Sequence, residues 1–144
     1  MDAADQAACE AALVQAIAGN VHDVMDGEWA DREWLHLFAD LEIDAKGERT
    51  SAICFALARR NDAPVEKVAF RLPPEAKRIL AALADDMTAP GSERWTAARI
   101  RIERDGRYAI DYRHDRPYRL GGTLNDTRYI DYLERWLERE GSGA

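Results

Sequence analysis

The chain has 144 residues, of which 47% are hydrophobic and 33% charged, so its composition excludes a disordered protein and predicts a single domain over residues 1–144. Its apolar runs fall short of the roughly 20 residues needed to cross a bilayer. Residues 1–5 lack the basic and apolar regions of a secretory signal, which predicts a cytoplasmic protein that does not bind membranes. In that compartment, Cys9 and Cys54 are expected to be buried thiols and not a disulfide.

The net charge of −7 is concentrated in the first third of the chain. Residues 1–48 contain twelve acidic and two basic residues, whereas residues 49–144 have a basic excess of three charges. Such an asymmetry steers a basic partner toward the acidic end of a protein. A simpler explanation is that acidic helices and loops keep the protein soluble, and charge alone does not separate the two.

The first half of the chain predicts one helix followed by strands. Residues 5–25 carry small apolar residues at helical spacing, namely Ala7, Ala11, Val14, Ala18 and Val21. From residue 34 the period falls to two, with Leu35, Leu37, Ala39, Leu41 and Ile43 on one side and Trp34, His36, Phe38, Asp40 and Glu42 on the other. Lys46 and Gly47 form a turn, residues 49–59 a second strand, and residues 68–72 a short third strand.

The second half predicts a helix, a hairpin and a final helix. Pro73 and Pro74 mark the start of a helix whose apolar side consists of Ala76, Ile79, Leu80 and Leu83. Two alternating strands flank Asp105 and Gly106, a dipeptide that suits a tight hairpin turn. Residues 114–124 are expected to form an irregular loop. A helix over about 127–140 follows, with an apolar side of Tyr129, Tyr132, Leu133, Trp136 and Leu137.

This order of elements predicts an α+β fold. Strands joined by short turns pair antiparallel, which gives a sheet of about five strands. The N-terminal, middle and C-terminal helices are expected to pack mainly on one face of that sheet. The other face is too polar for a core and is expected to be solvated or to bind a partner, since it carries His36, Asp40, Glu42, Arg99, Arg101, Asp111 and Arg113.

Motifs of catalysis and of metal or cofactor binding are missing from the sequence. The three histidines, His22, His36 and His114, have no metal-binding spacing, and the cysteines do not form a zinc-finger pair. The serines are in no nucleophile-elbow context, and no glycine-rich loop ends in Gly-Lys-Ser/Thr. We therefore predict that the protein is not an enzyme and binds neither a cofactor nor a metal.

Arginines are dense around the predicted hairpin, at positions 94, 99, 101, 104, 107, 113, 116 and 119. Such a cluster can hold a phosphate backbone, so a small nucleic-acid-binding or regulatory module using residues 94–119 is an alternative function. Acidic residues are interleaved with these arginines, however, and cross-strand ion pairs such as Arg101 with Asp111 are a simpler explanation.

Four segments together resemble the YezG-like antitoxin family, which are immunity proteins of bacterial polymorphic toxin systems. The first is an N-terminal helix that leads through Glu28-Trp-Ala-Asp-Arg-Glu-Trp34 into an acidic-edged strand, and the second is the helix after Leu72-Pro-Pro. The third is the pair of motifs Trp95-Thr-x-x-Arg-Ile-x-Ile and Asp105-Gly-x-Tyr-x-Ile-Asp-Tyr112. The fourth is a closing helix with Tyr-Leu-Glu-Arg at 132–135. The segment Arg116-Pro-Tyr-Arg-Leu-Gly-Gly departs from the acidic stretch expected there in the family.

The resemblance implies a protein that binds a cognate secreted toxin, commonly a nuclease, and blocks it stoichiometrically. Nuclease toxins carry basic grooves, so an acidic surface on the inhibitor mimics the substrate backbone and speeds association. A tryptophan, Trp29 or Trp34, is a candidate apolar anchor for the partner, and burial in the core is the alternative for these two residues. The complete set of expected partner-binding residues is Asp23, Asp26, Glu28, Trp29, Trp34, His36, Asp40, Glu42 and Asp44.

Overall fold

The computed structural model describes residues 2–19, 32–44, 48–88 and 94–142. In these residues it contains α1 (Ala3–Ala18), β1 (Arg32–Ile43), β2 (Thr50–Arg60), β3 (Glu66–Ala69), α2 (Pro74–Met87), β4 (Ala97–Glu103), β5 (Tyr108–Arg113) and α3 (Tyr132–Ser142). None of the helices in these ranges is long and apolar enough to cross a membrane.

The strands form one antiparallel sheet in the order β3-β2-β1-β4-β5, which confirms the predicted α+β class. The long strand β1 lies at its centre because it pairs with both β2 and β4. The hairpin between β4 and β5 turns as predicted at Gly106, whose φ of 94° lies in the region that glycine adopts without strain.

One face of the sheet, here called the inner face, packs against α1 and α2. Its core combines Leu37, Leu41 and Ile100 of the sheet with residues of both helices. The buried side of α2 matches the prediction, with Ala76, Leu80 and Leu83 fully buried. The buried side of α1 was predicted only in part: Val14 is buried and Ala18 partly buried as expected, and Val21 lies outside the described residues. Ala7 and Ala11 are exposed, whereas the larger Leu13 and Ile17 are buried because they fill more of the space above the sheet.

The opposite face, here called the outer face, is covered by α3 and by the segment 118–131 that precedes it. Trp136 of α3 packs with Phe38, Phe55 and Leu57 of the sheet, and Tyr132 contacts both phenylalanine rings. This face was expected to be solvated or to bind a partner, but over β1 and β2 it is buried beneath α3. Of the three helices, α1 and α2 share the inner face as expected, whereas α3 packs on this one. Aromatic side chains alternate with the charged ones there and supply the apolar platform on which the helix rests.

A β-bulge in β1 changes which residues point to each face. The pairing with β2 shifts between Trp34 and His36, so Leu35 is an extra residue in the strand. Trp34 consequently packs in the inner core, whereas Leu35 packs on the outer side, the reverse of the strict alternation expected from the sequence. Trp95 and Trp136 are both buried.

Candidate functional site

Most of the expected partner-binding residues that the structure describes are buried. Asp40 is 0% exposed, Glu42 and His36 are each 1% exposed, and Trp34 also lies in the core. Their expected place on an exposed surface is wrong. Asp44, at the end of β1, is partly buried and accepts hydrogen bonds from the backbone of Glu48 and the side chain of Arg49. The remaining four, Asp23, Asp26, Glu28 and Trp29, lie outside the described residues.

Asp40 and Glu42 belong to a buried charge cluster with Arg119, Asp126 and Arg128. Arg119, 6% exposed, donates from Nη1 to Asp126 Oδ2 at 2.8 Å and from Nη2 to the carbonyl oxygen of Asp40 at 2.9 Å. Its Nε donates to Ser51 Oγ at 2.8 Å. A single guanidinium therefore ties together the central strand β1, its neighbour β2 and the segment 118–131.

Arg128 completes the cluster from the same segment. Its Nη2 donates to Asp126 Oδ2 at 2.6 Å and lies 3.3 Å from Asp40 Oδ2 and 3.4 Å from Glu42 Oε2. The hydroxyl of Tyr129 also donates to Asp40. Burial opposes ionisation of Asp126, but the hydrogen bonds from Arg128 and Arg119 outweigh it and hold the pKa of that carboxyl well below its usual range.

The cluster fixes backbone as well as side chains. The backbone N–H groups of Arg119 and Leu120 donate to Glu42 Oε1 at 2.9 and 3.0 Å. Arg128 also stacks on Tyr118, with its guanidinium carbon 4.1 Å from the ring centroid. The loop predicted to be irregular thus has a defined position, because buried carboxylates require these donors. The sequence analysis did not predict this role for Arg119 and Arg128. The sequence does contain one indication of it, because two carboxylates on a central strand, Asp40 and Glu42, require cations from elsewhere in the chain.

His36 lies in a second buried polar group at the other end of the outer face. Its Nδ1 is 2.8 Å from Glu103 Oε1 and its Nε2 is 2.6 Å from the hydroxyl of Tyr132. Because an ionised carboxylate only accepts hydrogen bonds, Nδ1 carries the proton and Nε2 accepts from the tyrosine. Burial lowers the pKa of His36, Glu103 opposes that shift, and the positive charges of Arg139 and Arg101 add to it. Burial also raises the pKa of Tyr132 to about 12.

Two cavities open between α3 and the uncovered part of the sheet, and both are lined by Arg101. The first, of about 420 Å³, also reaches His36, Glu103, Trp136 and Arg139. The second, of about 340 Å³, has Phe38 and Tyr132 among its walls.

Most arginines around the hairpin are already engaged. Arg94 pairs with Asp85, Arg99 with Asp40, Arg107 with Asp105, Arg113 with Asp111 and Asp115, and Arg104 stacks on Trp34. Arg116 bonds the carbonyl oxygen of Gly121, and Arg119 is buried. The expected pairing of Arg101 with Asp111 is wrong by two residues, because the register places Arg99 opposite Asp111 and Arg101 opposite Ala109.

Large apolar side chains are exposed along the segment that the charge cluster holds. Leu124 is 86% exposed, Ile130 78% and Leu137 44%. Ile130 lies four residues before Glu134, and Leu137 and Glu138 lie three and four residues after it; all four are exposed and form one stripe, here called the outer ridge. Leu124 lies on the turn before it. Sequence reasoning assigned Leu137 to the apolar side of the last helix and did not single out Leu124 or Ile130.

Cys9 and Cys54 are free thiols, as expected. In the described residues no group of three histidine, cysteine or carboxylate side chains is arranged to hold a metal ion. A comparison with models of known protein families finds no match, and no curated protein is significantly similar to the chain.

Proposed function

We propose that the protein is an immunity protein that binds a cognate bacterial toxin, a nuclease with a basic active site, and neutralises it by stoichiometric occlusion. The observation that carries this proposal is the exposure of Leu124 and Ile130 on a segment that buried ion pairs hold in place. Contiguous exposed apolar patches mark protein-binding sites, and several large apolar side chains exposed along one ordered segment support such a role.

A rigid docking surface favours tight binding because little conformational entropy is lost when the partner binds. Arg119 and Arg128 hold residues 118–131 against the sheet in the free protein, so this segment is already ordered. A proteinaceous partner therefore fits the surface better than a small substrate does.

The charge on the outer ridge is consistent with a basic partner. Glu134 and Glu138 alternate with Ile130 and Leu137, so apolar and acidic side chains share one exposed stripe. A nuclease groove presents cations for phosphate, and carboxylates on the inhibitor complement them. The proposal keeps the mechanism expected from the resemblance but moves its centre from Asp40 and Glu42 to the outer ridge and Leu124. Asp23, Asp26, Glu28 and Trp29 remain proposed contacts.

The test is co-expression with the candidate toxin encoded beside this chain's gene. The wild-type protein should restore growth, and the double variant Leu124→Asp, Ile130→Asp should lose protection while keeping its circular dichroism spectrum. Ala82→Asp, which adds a carboxylate at an exposed position of α2, is the control and should protect fully. Failure of the wild type to protect, with both proteins produced, would contradict the function. Full protection by the double variant would contradict only the docking surface.

The alternative function is a nucleic-acid-binding or regulatory module that uses residues 94–119. It is less well supported because carboxylates or backbone oxygens occupy most of the hairpin arginines. A gel-shift titration against salt discriminates between the two functions. Specific retention of DNA or RNA, weakening as salt rises, is expected only of the alternative.

A further inference from the structure

Two arginines that form no ion pair with the described carboxylates line the larger of the two cavities beside α3. Arg101 projects from β4 and Arg139 from α3, and both line the space of about 420 Å³. Neither forms an ion pair with a carboxylate of the described residues, in contrast to Arg99, Arg107 and Arg128. Like charges held near each other repel, and an anion between them removes that repulsion.

The rest of the cavity wall carries charges of both signs. Arg107 lines it and pairs with Asp105, and the Nε1 of Trp136 is buried and does not reach the open space. Glu103 accepts a hydrogen bond from His36 Nδ1 at 2.8 Å and keeps its negative charge, which offsets part of the charge of Arg101. Glu140 is the other carboxylate on the wall, and it opposes an incoming anion.

We infer that this cavity is a binding site for a small tetrahedral oxyanion, the phosphate or sulfate group of a ligand, held by Arg101 and Arg139. A planar carboxylate has two oxygens and is satisfied by one guanidinium fork, whereas a tetrahedral oxyanion has enough oxygens for two forks from different elements. The volume is within the range of small-molecule sites. The site lies between β4 and α3 and does not involve Leu124 or the outer ridge.

Sulfate is the probe for this site because it does not titrate near neutral pH. Sodium sulfate is titrated into the wild-type protein at pH 7 with the ionic strength held constant by sodium chloride, and binding is followed by amide chemical shifts. Saturable shifts at β4 and α3 are expected. Arg101→Gln and Arg139→Gln should each weaken binding about tenfold, the loss of one charge-assisted contact. Glu140→Gln should strengthen binding.

His36 supplies a second readout that a general salt effect would not move. Sulfate bound between Arg101 and Arg139 offsets the two charges that face His36, so the pH midpoint of its imidazole should rise in sulfate. Acetate at the same ionic strength should leave the midpoint almost unchanged. In Arg101→Gln the midpoint should be raised already, and its response to sulfate should require about tenfold more sulfate. Arg78→Gln, an exposed arginine on α2, is the matched control and should behave as wild type.

Three results would overturn the inference. The first is the absence of saturable sulfate shifts in the wild-type protein. The second is binding that Arg101→Gln leaves unchanged. The third is retention of a single-stranded oligonucleotide through Arg101 without any response to sulfate, which would assign the cavity to a nucleic-acid backbone.

Discussion

The two faces of the sheet are both covered, but by different chemistry. On the inner face, aliphatic residues such as Leu37 and Ile100 meet α1 and α2 in a core dominated by apolar side chains. On the outer face, an aromatic patch around Phe38 is flanked by the buried charge cluster at one end and by His36 at the other. The inner face is therefore stabilised by area removed from water, and the outer face depends on exact pairing of polar groups.

This difference determines how each face responds to damage. Removing a methyl group from an apolar core lowers the free energy of unfolding in proportion to the apolar contacts that are lost, and neighbouring side chains partly fill the space. Removing one partner of a buried ion pair leaves a charge without compensation, and that penalty exceeds the value of the contact itself. The outer face should consequently be the more sensitive to single substitutions, to pH and to salt.

The largest effect is expected from Arg119→Met. The variant keeps an unbranched apolar stem but leaves Asp126, Asp40 and Glu42 with one guanidinium fewer in a buried site. Removing one partner of a buried ion network typically costs about 3–5 kcal/mol, which we expect for the free energy of unfolding in urea. Arg78→Met, at an exposed site, should change that free energy by less than about 0.5 kcal/mol. Equal effects of the two variants would contradict the assigned role.

A smaller loss is expected on the inner face from Leu80→Ala. Leu80 is fully buried in the core between α2 and the sheet, and such truncations cost about 2–5 kcal/mol. Because no charge is involved, this loss should be the same at low and high salt, whereas the loss from Arg119→Met should vary with salt. Urea unfolding of both variants at two salt concentrations checks the contrast. Equal salt sensitivity would remove the proposed distinction between the faces.

The pH dependence of stability should follow His36. Its pKa in the folded protein is lowered by burial and by Arg139 and Arg101, against the opposing charge of Glu103, while Tyr132 faces its Nε2. The unfolded chain therefore binds a proton first as pH falls, and stability should decrease below about pH 6.5, the usual value for histidine. Urea unfolding between pH 5 and 7.5 measures this slope. His36→Gln should flatten the slope of the free energy of unfolding against pH. An unchanged slope in this variant would assign the pH dependence to other groups.

The smallest expected effect is a difference in reactivity between the thiols of Cys9 and Cys54. Burial raises the pKa of Cys54 to about 12, so little thiolate forms and reagents do not reach it. Cys9 is only partly buried. A maleimide reagent should label Cys9 first in the folded protein, with Cys54 reacting only when the chain unfolds. Mass spectrometry of the wild type and of Cys9→Ser counts the labels, and rapid labelling of Cys54 in the Cys9→Ser protein would argue against a closed inner face.

Local patterns in the sequence were sufficient to predict the sheet and the hairpin. The period of two in β1 and β4, and Gly106 between β4 and β5, depend on neighbours a few residues away. The bulge at Leu35 left no such signal, because an extra residue in a strand looks like any other apolar position. The error in α1 has a similar origin, since Leu13 and Ala11 both fit a helical stripe and only the space above the sheet decides between them.

The candidate site was harder to predict because its partners are distant in the sequence. Alternation correctly placed Asp40 and Glu42 on one face of β1, but their exposure depends on Arg119 and Arg128, which come from the far end of the chain. A count of charges treats buried and exposed carboxylates alike. The net charge of residues 1–48 therefore overestimated how much of the surface is acidic. The exposure of Leu124 was equally hard to predict, because it depends on how Arg119 and Arg128 hold residues 118–131 against the sheet.

The hydrogen bond from Arg119 N–H to Glu42 spans 77 residues of chain. Contacts of such long separation form late, since a large loop must close before they contribute. During synthesis the elements of the inner layer, from α1 to β4, leave the ribosome before this arginine does. Until residues 118–131 arrive, the nascent sheet therefore presents Asp40 and Glu42 to water as an open acidic face, and the mature surface replaces that face only in the last step of assembly.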